Sequence, residues 1–203
     1  MINIVDYGVG NCGSIASMLS YLGIANRISG DPADIATAER LILPGVGAFD
    51  TGMQNLEDRR LVEPLHRAAC DRQTPVLGIC LGMQLMCGGS DEGHRPGLGI
   101  IDAHCVRFDP AVAASPIKVP HMSWAELDVV RPGRLFPGDE RQRFYFVHSY
   151  HVVCAQADDV AARARHGIQF TAAIERGSVF GVQFHPEKSH RFGMRLLQTF
   201  AAI

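Results

Sequence analysis

Two short segments far apart in the chain hold residue types that carry out acyl transfer when they meet. Gly78-Ile79-Cys80-Leu81-Gly82 sets a cysteine between two glycines, and Phe184-His185-Pro186-Glu187 sets an imidazole two residues from a carboxylate. A thiol attacks as its thiolate, so it needs a base to take its proton, and an imidazole serves best when a carboxylate holds it in one tautomer. Cys80, His185 and Glu187 are the expected nucleophile, base and orienter. Alone, a cysteine or a histidine is more commonly packing. Chemistry is signalled by the pairing of an elbow cysteine with a histidine at a strand end.

These residues need elements to position them. Thr74-Pro75-Val76-Leu77 is a short apolar run and Leu81-Gly82-Met83-Gln84-Leu85-Met86 reads as the start of a helix. The intervening G-x-Cys-x-G is then a strand-to-helix elbow that lifts the nucleophile above a sheet. Pro186 steers His185 toward extended backbone, where residues two apart project to one side. Strands are expected at 2–5, 24–28 and 40–43 and helices at 11–22 and 61–71, an alternation that implies a parallel sheet covered on both faces. Further strands are expected at 103–108, 125–130, 143–147, 152–155, 169–175 and 178–184, several of them antiparallel, before a last helix at 191–201. The expected fold is α/β: a mostly parallel central sheet flanked by helices, with an antiparallel strand-rich extension in the second half. Residues 1–203 read as one domain, and 88–99 and 109–120 as loops able to carry function.

In an open parallel sheet, ligands collect where strands end and loops converge, and Cys80, His185 and Pro44-Gly45-Val46-Gly47 all follow expected strands. Glycine-rich backbone can approach a substrate closely and aim an N–H at a developing oxyanion.

Composition narrows the classes. Net charge is −2 with no long run of like charges, which gives no electrostatic reason to expect nucleic acid or a membrane surface. No apolar stretch approaches the ~20 residues needed to cross a bilayer, and the first residues lack signal-peptide character. The six cysteines form no C-x-x-C pair, so neither a zinc site nor a disulfide framework is expected. Cys87 reads as core packing on the helix after the elbow. Reduced thiols and a cytoplasmic location are the expectation, and the chemistry calls for no metal or cofactor.

Four ordered motifs carry a resemblance. Pro-Gly-Val-Gly-Ala-Phe at 44–49, Gly-Ile-Cys-Leu-Gly-Met-Gln at 78–84, Phe-Val-His-Ser-Tyr at 146–150 and Gln-Phe-His-Pro-Glu-Lys-Ser at 183–189 make the chain similar, over essentially its whole length, to triad-type (class I) glutamine amidotransferases. The resemblance implies hydrolysis of glutamine to glutamate and ammonia, with an oxyanion hole from the N–H groups of Leu81 and Val46. It also implies glutamine contacts from Gly47, Gln84, Glu92, His148 and Ser149. Within the family it points to subunits that form a heterodimer with a (β/α)₈-barrel cyclase of histidine biosynthesis. There, ammonia joins a phosphoribulosyl-formimino aminoimidazole carboxamide nucleotide to give imidazole glycerol phosphate. The segment Lys118-Val119-Pro120-His121-Met122-Ser123-Trp124-Ala125 departs from the usual pattern, which has glycine at 123 and asparagine at 125. That departure, with Gly97-Leu98-Gly99 and Phe192-Gly193-Met194, keeps open a paralogue that feeds a sugar amidotransferase in surface-polysaccharide biosynthesis. A third alternative is a non-catalytic interaction subunit on the same fold. Trp124, the one tryptophan, reads as an interface ring or a core ring.

Overall fold

The first half alternates as the spacing requires: β1 (Ile2–Val5), α1 (Cys12–Tyr21), β2 (Asn26–Ser29), α2 (Pro32–Thr37), β3 (Arg40–Gly45), α3 (Phe49–Asp58), α4 (Val62–His66), β4 (Val76–Cys80) and α5 (Leu81–Leu85). A π turn over Arg67–Asp71 continues α4. The second half is mainly strand: β5 (Gly89–Ser90), β6 (Ala103–Arg107), β7 (His121–Val129), β8 (Gln142–His148), β9 (Tyr150–Cys154), β10 (Val160–His166), β11 (Ile168–Arg176) and β12 (Val179–Val182), followed by α6 (His190–Ala202). This computed structural model describes residues 1–112, 117–138 and 141–203, so part of the 109–120 loop lies outside the described residues.

The main sheet runs β2-β1-β3-β4-β12-β11-β10-β7-β8. Pairings from β2 to β12 are parallel, and those from β12 to β8 antiparallel. Strands β5, β6 and β9 form a branch that joins the sheet through β11. The fold is the expected α/β arrangement with its antiparallel extension.

Strand side chains alternate between faces, so each parallel strand feeds two cores. Val5, Leu41, Leu43 and Val76 pack with Ile35 of α2, Phe49, Met53 and Leu56 of α3, and Leu65 of α4. Ile4, Ile42, Leu77 and Ile79 pack with Ile15 and Leu19 of α1 and with Leu196, Leu197 and Phe200 of α6. Burying each such side chain is worth about 1.5–3 kcal/mol. Enough apolar surface is covered on both faces to fix the height of the sheet, and therefore of whatever stands on its strand ends.

The structure moves several expected boundaries. β7 begins at His121, four residues before the expected 125–130 strand, because the whole His121–Leu127 run pairs with β8. The helix after the elbow closes at Leu85, so Cys87 is not on it; the Cys87 thiol is fully buried 3.6 Å from Met83 O, a packing position. Helices α2 and α3 and strand β10 were not expected from the sequence at all.

Candidate functional site

The register of three adjacent parallel strands builds the site. β3 places Gly45 opposite Cys80, and β12 places Val182 opposite Ile79, so His185 follows β12 at the same end of the sheet. Cys80 is the last residue of β4 and the first before α5, with φ 54° and ψ −110°, a backbone state that a side chain adopts only when its surroundings impose it. Those surroundings are tight. A Cβ on Gly82 would stand 1.8 Å from Leu43 O, and one on Gly45 would stand 2.6 Å from Gly82 N and 2.7 Å from the Tyr7 hydroxyl. Only glycines at 45 and 82 let α5 sit this close to β3. Tyr7, fully buried, donates its hydroxyl to Pro44 O at 2.6 Å and fastens the strand that leads into Val46.

His185 is 1% exposed, and its Nδ1 lies 2.8 Å from Glu187 Oε1. The two are not brought together by extended backbone, as expected. His185 is extended, but Pro186–Lys188 is a 3₁₀ turn that swings the carboxylate back under the ring. His185 N donates to Tyr145 O at 3.0 Å, and Ser189 Oγ donates to His185 O at 2.7 Å, so the backbone is pinned on both sides. Burial works against the imidazolium, yet hydrogen bonds and charge from Cys80 and Glu187 outweigh it and raise the His185 pKa to about 9. Glu187 is also buried; the hydrogen bonds of His185 and Asn11 overcome that burial and hold its pKa below the usual value. The imidazolium form of His185 is therefore favoured at neutral pH.

A cavity of about 390 Å³ opens onto Cys80 and His185. Its walls include Val46, Gly47, Leu81, Gln84, Glu92, His148 and Ser149, so every expected catalytic, oxyanion-hole and glutamine-contact residue meets here apart from Glu187, which stands behind His185. Val46 is the first residue past β3, and Leu81 the first of α5. Glu92 is not a loose loop acid. Its Oε2 accepts from Phe49 N at 2.9 Å, at the start of α3, while the neighbouring Asp91 turns away to His104 Nε2. One carboxylate oxygen is anchored to a helix N-terminus and the other remains for a cationic group.

His148 contributes differently from the other wall residues. Its Nδ1 donates to Tyr150 O at 2.7 Å, which makes its Nε2 an acceptor, 3.2 Å from His121 Nδ1. His121 Nδ1 is then the donor, and His121 Nε2 receives the Ser123 hydroxyl at 2.9 Å. Both rings are neutral Nδ1–H tautomers: burial lowers the pKa of His121 to about 4 and of His148 to about 3. Ser123, where the family pattern has glycine, ends this chain with a donor. With both ring nitrogens occupied, His148 has neither left for a ligand.

Two further residues belong to the site. Asn11 Nδ2 donates to Glu187 Oε1 at 3.0 Å, and Gln183, fully buried, points Nε2 at Cys80 Sγ from 3.7 Å. Gln183 opens the Gln-Phe-His-Pro-Glu-Lys-Ser motif, and its place two residues before His185 was the available signal. Asn11 had none, since its partner is far away in sequence. Among the described residues no group of His, Cys, Asp and Glu is placed to hold a metal ion, and no helix is long and apolar enough to cross a membrane.

Comparison with known proteins agrees with this geometry. The family described as glutamine amidotransferase class-I matches residues 3–202. The chain is 46% identical over 204 residues to "Imidazole glycerol phosphate synthase subunit HisH 2" of Pseudomonas aeruginosa, covering 100% of both chains. It is 44% identical over 201 residues to the protein of the same name from Methanococcus maripaludis, covering 98% of each. Among solved structures, a "glutamine amidotransferase" superimposes with a TM-score of 0.76 at 18% identity over 100% of this chain and 99% of the other. PurLQS from Thermotoga maritima gives 0.73 at 20% identity over 99% of this chain and 97% of the other. Sequence over the full length and fold over the full sheet thus lead to one conclusion: the chain belongs to the class-I glutamine amidotransferase family.

Proposed function

We propose that this chain is the glutaminase subunit of an imidazole glycerol phosphate synthase, and that Cys80, His185 and Glu187 are its catalytic triad. The observation that carries the reading is His185, held by Glu187 at 2.8 Å on one nitrogen and lining the same cavity as Cys80. Cys80 thiolate attacks the carboxamide carbon of glutamine, and the oxyanion is received by the N–H groups of Leu81 and Val46. The tetrahedral adduct collapses as His185 gives its proton to the departing nitrogen, releasing ammonia and leaving a γ-glutamyl thioester. Water then gives a proton to His185 and attacks the thioester, which restores the thiol and releases glutamate. Glu92 pairs with the α-ammonium of glutamine, while Gln84, Gly47 and the 148–149 backbone fix the remainder.

Free ammonia is protonated at neutral pH and lost, so the useful arrangement is a partner docked over the cavity mouth. A (β/α)₈-barrel cyclase in a cytoplasmic heterodimer fits that need. Supporting a docking face here, Val46 and Pro120 line the cavity, and Met122, two residues on along β7, is 61% exposed. Trp124 is half-buried, its ring parallel to that of His190 at 5.8 Å and beneath the Arg143 guanidinium, which makes it a fixed surface ring on the same strand.

The purified chain, mixed with such a cyclase, its nucleotide substrate and glutamine, should yield glutamate and imidazole glycerol phosphate in equal amounts. Glutamate without the cyclised product, in the presence of an active cyclase, would point to a different acceptor such as a sugar amidotransferase. No glutamate under any condition would remove the glutaminase reading itself.

A further inference from the structure

Beside Cys80 a chain of buried amides has its direction fixed by its far end. Tyr150 O can only accept, and it takes His148 Nδ1–H at 2.7 Å and Gln84 Nε2–H at 3.1 Å. That orients Gln84 with nitrogen inward, and the same Nε2 reaches Gln183 Oε1 at 3.1 Å. Gln183 must then present its own Nε2–H₂ to Cys80 Sγ, at 3.7 Å. The amide of Gln183 cannot flip without setting two oxygens or two N–H groups against each other, so the donor toward sulfur is set by the fold. Gln183 is fully buried, and its backbone N–H is tied to Ala172 O at 2.9 Å.

From this we infer that Gln183 is a further catalytic residue, whose amide N–H stabilises the Cys80 thiolate. The inference rests on the glutaminase reading above for its biological meaning, but not for its geometry. A sulfur anion gains from a donor more than a neutral thiol does, and it gains most where water is excluded. The other contact within reach works in the opposite sense. Val147 O, 4.0 Å from Sγ, can only receive the S–H of the neutral thiol. The remaining titratable groups around the sulfur are His185 with Glu187 behind it, buried Tyr7, and Glu92, Lys188 and His148 on the cavity wall. Among them His185 and Lys188 favour the thiolate by charge, and Gln183 is distinct in favouring it by a neutral donor.

The test is the pH dependence of Cys80 alkylation by iodoacetamide on the full chain, which needs neither glutamine nor partner. Gln183→Met keeps the length of the side chain and removes the donor; the midpoint of its profile should move up by about one pH unit, roughly the tenfold change in thiolate population expected from one charge-assisted hydrogen bond. A role in packing alone would scale the rate at all pH values and leave the midpoint in place. Gln84→Leu leaves Gln183 present but unpolarised, and should move the midpoint part of the way. An unchanged midpoint in folded Gln183→Met overturns the inference. Should that variant not fold, an unchanged midpoint in Gln84→Leu does so instead. Glutamate production by the parent chain with its partner is measured separately: its absence would defeat the glutaminase reading, whereas a fixed alkylation midpoint would defeat only the role of Gln183.

Discussion

Asn11 and His185 share one oxygen atom: Glu187 Oε1 receives Asn11 Nδ2 at 3.0 Å and His185 Nδ1 at 2.8 Å. Glu187 Oε2, also buried, has no partner among the described residues. Both side-chain hydrogen bonds to the carboxylate therefore meet on the shared oxygen, and Asn11 supplies the one that does not come from His185.

Asn11→Ala should accordingly lower glutamine turnover about tenfold, the scale set by losing one hydrogen bond to a buried charged group. Cys80 should remain open to alkylation, because the imidazole is still there. Steady-state kcat with the partner present, beside an alkylation rate, makes the comparison; unchanged kcat would show that the 3₁₀ turn holds Glu187 unaided.

Replacing Cys80 separates chemistry from strain. Cys80→Ala should abolish glutaminase activity and still fold, and ammonium salts should restore product formation by the partnered enzyme. Cys80→Gly should also be inactive yet melt higher than Cys80→Ala, by an amount corresponding to about 1 kcal/mol, because φ 54° with ψ −110° costs a side chain what glycine avoids. Equal melting temperatures would mean the elbow is not strained.

Glu92→Gln keeps an acceptor for Phe49 N but removes the charge offered to an α-ammonium. KM for glutamine should rise tenfold or more with a smaller change in kcat, since the lost contact is made to bound substrate as well as to the transition state. Asp91→Asn, directed at His104 instead, is the matched control and should leave KM near the parent value.

Stability should peak near pH 6.5. Unfolded, His121 and His148 take up protons near 6.5; folded, they resist until about 4 and about 3. Their contribution is complete above 6.5 and fades as pH falls toward 3–4, with a slope of up to ~1.4 kcal/mol per pH unit for each ring. His185 has the opposite sign. Raised to about 9, it contributes fully below 6.5 and progressively less as pH climbs through 9. Urea unfolding across this range should trace both limbs, and His148→Gln should flatten the acidic one; an unaltered acidic limb would place the buried-histidine effect elsewhere.

The legible parts of this molecule were those with local causes. Cys80 between its glycines announces an elbow because only that turn needs both. Helix α2 also had a local signature, Asp31 capping Ala33 N with Pro32 at the first position, but six residues leave little periodicity to read. Helix α3 shows Phe49, Met53 and Leu56 at helical spacing, obscured by Gly52, which is small because Leu85 packs onto it. Strand β10, Val160-Ala161-Ala162-Arg163-Ala164-Arg165-His166, has helix-forming composition, and pairing with β7 and β11 overrides it. At the site, the motifs located Cys80, His185 and Glu187, whereas Asn11 and the donor direction of Gln183 depend on contacts between segments that no local pattern encodes.

The closeness of α5 to β3 at Gly45 and Gly82 bears on how such an enzyme can be altered. With a Leu43 carbonyl filling the space a side chain at 82 would need, variation in the seat of Cys80 is closed to both drift and engineering. A library that randomises the floor of the cavity would return mostly misfolded protein. One confined to Glu92, Ser149 and Lys188, along the wall, would sample new amide substrates with the seat of Cys80 undisturbed.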